Sequence, residues 1–264
     1  MDKPYHVMPD VAVLPLFFPI PGMGFLPVNA FVIKAKEPVL VDTIAGGESE
    51  EFMKALESVI DPRDLKWVWL THDDSDHAGN IQKVLEAAPG ARFAANALAT
   101  LRMTATWQVP MDRVYWLNPG DSINAGDRRL TAVRPPLFDN PSTIGIYDDK
   151  SQAFFSADCF GGIIKASARD ADDIKAEELT QGMVAWSTAD SPWVHMVEPG
   201  KFGQALDGVR RMAPKAILSS HLPPARGSNE RFLKLLLTLP AAQPFVAPGQ
   251  VALEQLMAQM KGAR

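Results

Sequence analysis

Two kinds of hydrophobic spacing alternate along the first part of the chain. Runs of apolar and β-branched residues predict strands at 28–33 and 38–42, separated by a charged turn. Residues 49–60 carry apolar side chains at helical spacing and predict a helix. This helix should end at an Asp-Pro pair, because the residue before a proline is pushed out of the α region. A short apolar strand at 67–70 and a helix near 81–88 follow.

The second half of the chain continues the alternation and adds strands in groups. The predicted strands lie at 114–117, 130–133, 144–147, 153–157 and 216–220, and the predicted helices at 201–212, 229–237 and 251–260. Residues 148–151 have the composition of a hairpin turn between two of these strands. Segments 95–113 and 163–195 lack a clear period, and we expect loops there that shape a pocket. Grouped strands with interleaved and trailing helices predict an α/β fold of the αββα type, a four-layer sandwich of two packed sheets covered by helices.

Composition and charge limit the classes of protein to which the chain can belong. No repeat or Ser/Gly-rich linker divides it, so we expect one domain over 1–264. Residues 11–33 are largely apolar, but prolines and glycines interrupt them, which favours strands joined by turns over a membrane span. The net charge of -5 and the scattered basic residues disfavour a nucleic-acid surface. A single cysteine excludes an internal disulfide, and the lack of a signal-peptide pattern predicts a cytoplasmic protein.

Histidine and aspartate residues cluster directly after the strand predicted at 67–70. The sequence there reads His72-Asp73-Asp74-Ser75-Asp76-His77. His72 and Asp74 are alternate residues of an extended loop, so they can point the same way. Asp76 and His77 can then address a second ion nearby. Loops at the carboxyl ends of strands converge at one edge of a sheet, and imidazole and carboxylate groups bind zinc, iron and manganese. The cluster therefore predicts a metal site.

Three further side chains complete a set whose size suits two ions. Asp158 and His221 each follow a predicted strand, as His72 does, and Asp139 lies in a proline-punctuated loop ahead of another strand. The seven candidates are His72, Asp74, Asp76, His77, Asp139, Asp158 and His221. Four aspartates roughly neutralise two divalent ions, which lowers the Lewis acidity that activates water and favours iron or manganese over zinc. We expect two metal ions, iron first, with zinc and manganese as alternatives.

The order of these motifs resembles the metallo-β-lactamase superfamily, whose signature is H-x-H-x-D-H followed by a His, a bridging Asp and a final His. The nearest likeness is to the β-lactamase-like domain of flavodiiron proteins and to stand-alone oxygen-binding diiron proteins. These carry a carboxylate at the third position, as Asp74 does here. The resemblance runs from about Val28 to His221 and includes Asp76-His77-Ala78-Gly79-Asn80, Asp158-Cys159-Phe160-Gly161 and Ser219-Ser220-His221.

The resemblance implies how the candidate ligands divide between the ions. One metal would be held by His72, Asp74 and the residue near 139, and the other by Asp76, His77 and His221, with Asp158 bridging the two. The family has a histidine at the place where this chain has Asp139. Phe138 and Asn140 are alternatives for that position.

Three functions are compatible with this site. The resemblance implies first a non-haem diiron protein that binds or reduces dioxygen or a related small oxidant such as nitric oxide. The flavodoxin domain of flavodiiron proteins has no counterpart in the sequence, so an external electron donor is expected. The alternative is a metal-dependent hydrolase of a lactone, thioester, amide or phosphodiester, with Asp74 or Asp76 as general base. The third is a scaffold whose metal site has decayed, and a homo-oligomer is compatible with each.

Five residues near these motifs have both a structural and a functional interpretation. Cys159 is expected to be a small buried residue rather than a redox thiol. His195 is expected to pack at a partly exposed position, although it could line the pocket. Trp186, Trp193 and Phe160 could also wall the pocket, but most aromatic residues belong to a core.

Overall fold

The computed structural model describes residues 1–262, with side chains described as far as residue 258. The strands are β1 (Tyr5–Met8), β2 (Val11–Ile20), β3 (Gly24–Ile33), β4 (Val39–Val41), β5 (Trp67–Trp69), β6 (Arg92–Ala95), β7 (Val114–Trp116), β8 (Ser122–Asn124), β9 (Arg129–Val133), β10 (Gly145–Asp148), β11 (Ala153–Phe155), β12 (Ala216–Leu218) and β13 (Ala225–Arg226). The α-helices are α1 (Ser49–Val59), α2 (Ser75–Ala78), α3 (Ile81–Ala87), α4 (Ala97–Met103), α5 (Ala176–Asp190), α6 (Pro199–Met212), α7 (Asn229–Thr238) and α8 (Gln250–Gly262). One sheet has the strand order β1-β2-β3-β4-β5-β6-β7, and the other has the order β13-β12-β11-β10-β9-β8.

Three hydrophobic clusters define the layers of the fold. Successive residues of β3 face opposite ways, as the period of a strand requires. Phe31 lies between the two sheets, where its ring meets Phe155 of β11 edge to face at 5.3 Å between centroids. Ala30 lies on the other face, in the cluster that includes Phe52 of α1. A third cluster joins the second sheet to α5, α6 and α7. The layers are helix, sheet, sheet, helix, so the predicted αββα sandwich is confirmed.

The apolar segment at 11–33 forms a long antiparallel hairpin of β2 and β3, as its turn-interrupted pattern predicts. Pro15 is tolerated inside β2 because β1 pairs with β2 only as far as Val13. The Pro15 carbonyl accepts a hydrogen bond from Asp2 on that outer side, so the missing N–H leaves no gap in the ladder with β3. Among the helices described here, none is both long and apolar enough to cross a membrane.

The two segments expected to be loops contain helices, so that prediction is wrong. Segment 95–113 contains α4, which has only 7 residues. Segment 163–195 contains α5, which has 15. The residues that α5 buries are Leu179, Gly182, Met183, Ser187 and Thr188. Small and polar residues on this buried face dilute the apolar stripe on which a helix prediction depends.

The ends of parallel strands bring the sequence motifs together. Strands β4, β5 and β6 are parallel in the first sheet, and β11 and β12 are parallel in the second. Asp42 directly follows β4. The side chains His72, Asp158 and His221 each lie three residues beyond their strand, namely β5, β11 and β12. Since neighbouring parallel strands end at the same edge, the loops that follow them can build one site.

Candidate metal centre

Three imidazole rings converge on the carboxylate of Asp158. His72 Nε2 is 3.1 Å from Asp158 Oδ2. The Nε2 atoms of His77 and His221 are each 2.9 Å from Asp158 Oδ1. These four side chains are buried, none of them more than 3% exposed. Buried groups that can carry charge need strong partners, either one another or a bound ion.

Hydrogen bonds on the far side of two rings determine where their protons lie. His77 Nδ1 is 2.9 Å from Asp42 Oδ2. His221 Nδ1 is 2.8 Å from the carbonyl oxygen of Pro27. An ionised carboxylate and a carbonyl oxygen only accept hydrogen bonds, so both Nδ1 atoms must donate. The Nε2 atoms that face Asp158 can therefore bind a metal as neutral imidazoles, with the far-side bonding typical of metal-binding histidines.

The inward-facing atoms fit a bound cation. His77 Nε2 and His221 Nε2 are only 3.3 Å apart. Asp158 Oδ1 lies 2.9 Å from both nitrogens, yet no donor is aligned with it well enough for a hydrogen bond. Without a cation these nitrogens must be protonated. Burial opposes that charge, but the Asp158 and Asp42 carboxylates raise the pKa of His77 well above its usual range. A metal ion would replace the protons with a charge that all three groups share.

Further carboxylates surround this core at longer distances. Asp76 Oδ2 is 3.5 Å from His221 Nε2. Asp74 Oδ2 and Asp139 Oδ1 are each 4.0 Å from His72 Nε2. The possible ligand atoms form sets that lie within 4.8 Å of one another, and two of these sets are His72 with Asp74 and Asp139, and Asp76 with His77 and His221. The structure thus brings all seven sequence-predicted side chains together, and these two sets have the same members as the two groups that the resemblance implies.

The loop before β10 places Asp139, rather than either neighbour, beside His72. The amide of Asn140 is engaged elsewhere, because its Nδ2 donates to Asp74 Oδ1 at 2.7 Å. Phe138 packs its ring against Trp193, and its carbonyl accepts from Trp193 Nε1 at 2.8 Å. The Asp139 carboxylate, with Oδ1 at 4.0 Å from His72 Nε2, is therefore the candidate ligand at this position.

Left-handed backbone conformations flank Asp158. Ala157 has a φ of 51° and Phe160 a φ of 66°, and such conformations cost on the order of 1–3 kcal/mol each in residues other than glycine. The Ala157 carbonyl accepts a hydrogen bond from the Ser220 backbone N–H at 2.9 Å, which ties this turn to the loop that carries His221. Strain of this kind persists where the surrounding structure holds it, and both strained residues lie within two positions of Asp158.

A polar network that the sequence did not reveal holds the Asp74 loop in place. Arg102, on α4, donates from Nε to Asp73 Oδ2 at 2.7 Å and from Nη2 to Asn140 Oδ1 at 2.6 Å. Ser142 Oγ donates to Asp73 Oδ1 at 3.0 Å. Because Asn140 also donates to Asp74, the network joins two separate loops to one guanidinium group.

Helix α5 contributes Trp186, which the sequence offered as a possible wall of the pocket, and Asp190, which sequence reasoning did not place in the site. The Trp186 ring lies 4.5 Å from the His221 ring, and its Nε1 donates to the Asp158 carbonyl at 3.1 Å. Gly161 makes room for it, since a Cβ there would be 2.4 Å from Trp186 Nε1. Asp190, the last residue of α5, forms another candidate ligand set with Asp139 and Asp158.

The other residues with two interpretations lie outside these sets. Cys159 is buried and unpaired, and burial raises the pKa of its thiol, as expected for a small structural residue. Phe160 packs in the core between Phe154 and Phe232. His195 is half-buried and belongs to no candidate ligand set among the described residues.

The sandwich, with a histidine and aspartate cluster where its strands end, is that of a metallo-β-lactamase-like domain. The chain belongs to the ODP family of β-lactamase-like proteins, whose model matches residues 26–221. The structure of rubredoxin oxygen:oxidoreductase from Desulfovibrio gigas superposes with a TM-score of 0.80 and 20% sequence identity, over 92% of this chain and 62% of that one. At 20% sequence identity, this superposition is evidence for a shared fold and for nothing further.

Two curated relatives match about half of the chain. The nitric oxide reductase of Moorella thermoacetica is 28% identical over 148 residues, which is 56% of this chain and 37% of the relative. The rubredoxin-oxygen oxidoreductase of Megalodesulfovibrio gigas is 24% identical over 155 residues, 59% of this chain and 39% of the relative. In both cases the matched part is less than half of the relative's own length.

Proposed function

We propose that the chain is a dinuclear non-haem iron protein that binds or reduces dioxygen or nitric oxide. The observation that carries the proposal is the pair of ligand sets on either side of Asp158, with inward-facing imidazole nitrogens that call for a cation. Two relatives support it, since one is a nitric oxide reductase and the other a rubredoxin-oxygen oxidoreductase.

In this proposal each ligand set holds one ion. His72, Asp74 and Asp139 hold the first ion, Asp76, His77 and His221 hold the second, and Asp158 spans both. Four carboxylates make the site rich in negative charge, which favours oxygen-preferring ions such as iron over a zinc ion that activates water. When bound, two irons supply electrons and open coordination positions to a small oxidant.

The exposure of the side chains indicates how a small molecule would reach the centre. The three histidine side chains are each 1% exposed. The side chains of Asp74, Asp76 and Asp139 are 41%, 35% and 28% exposed. A ligand would therefore approach past these three carboxylates, while the buried imidazoles keep water from the opposite direction. Electrons would come from a separate donor, and we place the protein in the cytoplasm.

The proposal is tested on protein loaded with ferrous iron without air. We expect about two irons per chain, an absorption change when oxygen or nitric oxide is added, and consumption of the oxidant once a reductant is supplied. The same protein with Asp158→Ala is the control, and it should respond to neither gas. Tightly held zinc with turnover of a lactone or phosphodiester would favour the hydrolase instead. A chain that takes up no metal would favour the scaffold.

A further inference from the structure

Asp190 brings a further carboxylate to the first ion's side of the centre. Its oxygen atoms lie in a set with those of Asp139 and Asp158, all within 4.8 Å of one another. Asp190 is half-buried at the end of α5, and its Oδ2 accepts a hydrogen bond from Ser191 Oγ at 3.0 Å. The other carboxylate oxygen makes no hydrogen bond or ion pair with the residues whose side chains are described, so it is available to an ion.

The charges on this side are unbalanced without a cation. Within residues 1–258, no lysine or arginine forms an ion pair with Asp139 or Asp190. Arg102, on the same side of the centre, is paired with Asp73 instead. Three carboxylates at this spacing repel one another, and a shared cation removes the repulsion.

The Oδ1 atom of Asp158, which faces His77 and His221, gives a separate indication of a bound ion in the centre. Asp158 is 3% exposed, and its Oδ1 lacks an aligned donor. Asp158 also belongs both to the histidine core and to the set that contains Asp190. A buried carboxylate oxygen without a hydrogen bond is costly unless it is bound to a metal.

We propose that Asp190 is a ligand of the first ion and that, with Asp139, it takes the place of the histidine found in the family. This inference rests on the proposed dinuclear site, and it makes the two metal positions chemically unequal. The first position has one imidazole, His72, among several carboxylates. The second has two imidazoles, His77 and His221. Oxygen-rich sites suit manganese and ferric iron, whereas imidazole favours ferrous iron and zinc.

Binding of Mn²⁺ to metal-free protein tests the role of Asp190 without using any reaction. The free Mn²⁺ signal in electron paramagnetic resonance gives the two affinities of the wild-type protein, Asp190→Ala and Asp190→Asn. We expect Asp190→Ala to weaken one Mn²⁺ by roughly tenfold or more while leaving the other unchanged. Asp190→Asn keeps one oxygen and should lie between the two. The matched control is Glu177→Gln, an exposed position on the same helix whose side chain accepts a hydrogen bond from Gln181.

Iron-loaded protein gives a second readout that a general loss of structure would not reproduce. Mössbauer spectra of the wild type should contain two iron signals of equal area, and Asp190→Ala should lose or shift one of them only. Melting temperatures of the metal-free proteins check that the variants fold. Retention of both affinities in Asp190→Ala, equal weakening of both, or a wild type that binds no metal would each overturn the inference. A wild type that binds two ions but ignores oxygen and nitric oxide would instead overturn the proposed function alone.

Discussion

The imidazole side of the proposed centre and its carboxylate side are held in different ways. His77 and His221 are buried, and each is fixed from behind by an acceptor, Asp42 or the Pro27 carbonyl. On the carboxylate side, Asp74 and Asp139 are partly exposed. Asp74 is fixed by Asn140, whose own partner is the half-exposed Arg102.

The difference means that the histidines are already in place before an ion binds, whereas the aspartates need a bound ion to link them to the histidines. The histidines point inward because backbone and buried carboxylate groups leave them no other arrangement. The aspartates lie 4.0 Å from His72, beyond hydrogen-bond distance, so no direct bond holds them to that ring and an ion between them would supply the link. Variants should therefore act on the imidazole side through lost preorganisation, and on the carboxylate side through lost ligands.

Asp158→Ala should have the largest effect, because Asp158 lies against all three imidazoles and also shares a ligand set with Asp139 and Asp190. We expect the variant to lose both ions, so metal content by elemental analysis falls from about two per chain towards zero. It also removes a buried negative charge among three imidazoles, which leaves His72, His77 and His221 without their central partner. If the variant kept both ions, Asp158 would not be the group that the two ions share, and the division of the centre into two sides joined by Asp158 would be wrong.

Asp42→Asn should have the next largest effect, confined to the imidazole side. Asp42 Oδ2 accepts from His77 Nδ1 and from Thr71 Oγ1, while Oδ1 accepts from the Thr71 backbone N–H. An amide has only one acceptor oxygen, so its NH₂ group must face a donor in either orientation. His77 can respond by moving its proton to Nε2, which removes the metal-binding lone pair. We expect one ion to bind about 10–100-fold more weakly, measured by competition with a chelator, while the first ion keeps its affinity.

The contrast between Asp42 and the histidines also indicates how far the sequence could predict this site. The sequence pointed to four central residues because histidine is rare in this chain and because each candidate follows a recognisable strand. These residues are His72, His77, Asp158 and His221. Asp42 follows a strand in the same way, but an aspartate beyond a short strand is common and carries no chemical signal by itself. Its role depends on the contact between β4 and β5, which fixes its distance to His77.

Helix α5 and its contribution to the site were also missed, but for a different reason. The αββα class was predictable because most strands and helices have a clean period. Helix α5 buries a glycine, a serine and a threonine, so its period is weak, and Asp190 at its end could not be assigned to a helix pointing at the site. Arg102 is on α4, where Leu98 and Leu101 are exposed while Met103 is buried, so apolar residues on both faces hide its period. The extent of a single domain over 1–264 stays a prediction.

Asp139→Ala should have a smaller effect than Asp42→Asn, because other carboxylates remain on its side. The Asp139 side chain is 28% exposed and lies 4.0 Å from His72 Nε2, so its loss leaves a gap that water can fill. We expect roughly tenfold weaker binding of one ion, measured by titration of metal-free protein. Asp139→His, which restores the residue type of the family, should recover the affinity. Unchanged binding in Asp139→Ala would assign Asp139 to the turn rather than to the centre.

Arg102→Met should have the smallest effect, since it alters only what holds the carboxylate side in place. The substitution keeps an unbranched side chain on α4 but removes the donors to Asp73 and Asn140. The Arg102 side chain is 44% exposed, and partly exposed ion pairs contribute about 1 kcal/mol or less, so first-ion affinity should fall no more than a few-fold. Added salt should reduce the difference, because it screens the wild-type pair.

The matched control for Arg102→Met is Arg63→Met. Arg63 forms a comparable pair with Asp61 on the surface, at 2.6 Å and away from the centre, so its removal should leave metal affinity unchanged. Equal effects of the two substitutions would mean that Arg102 acts only through general stability. A larger effect of Arg102→Met on the second ion than on the first would contradict the division of the centre into two sides, since Arg102 reaches the ligands only through the loops that carry Asp74 and Asp139.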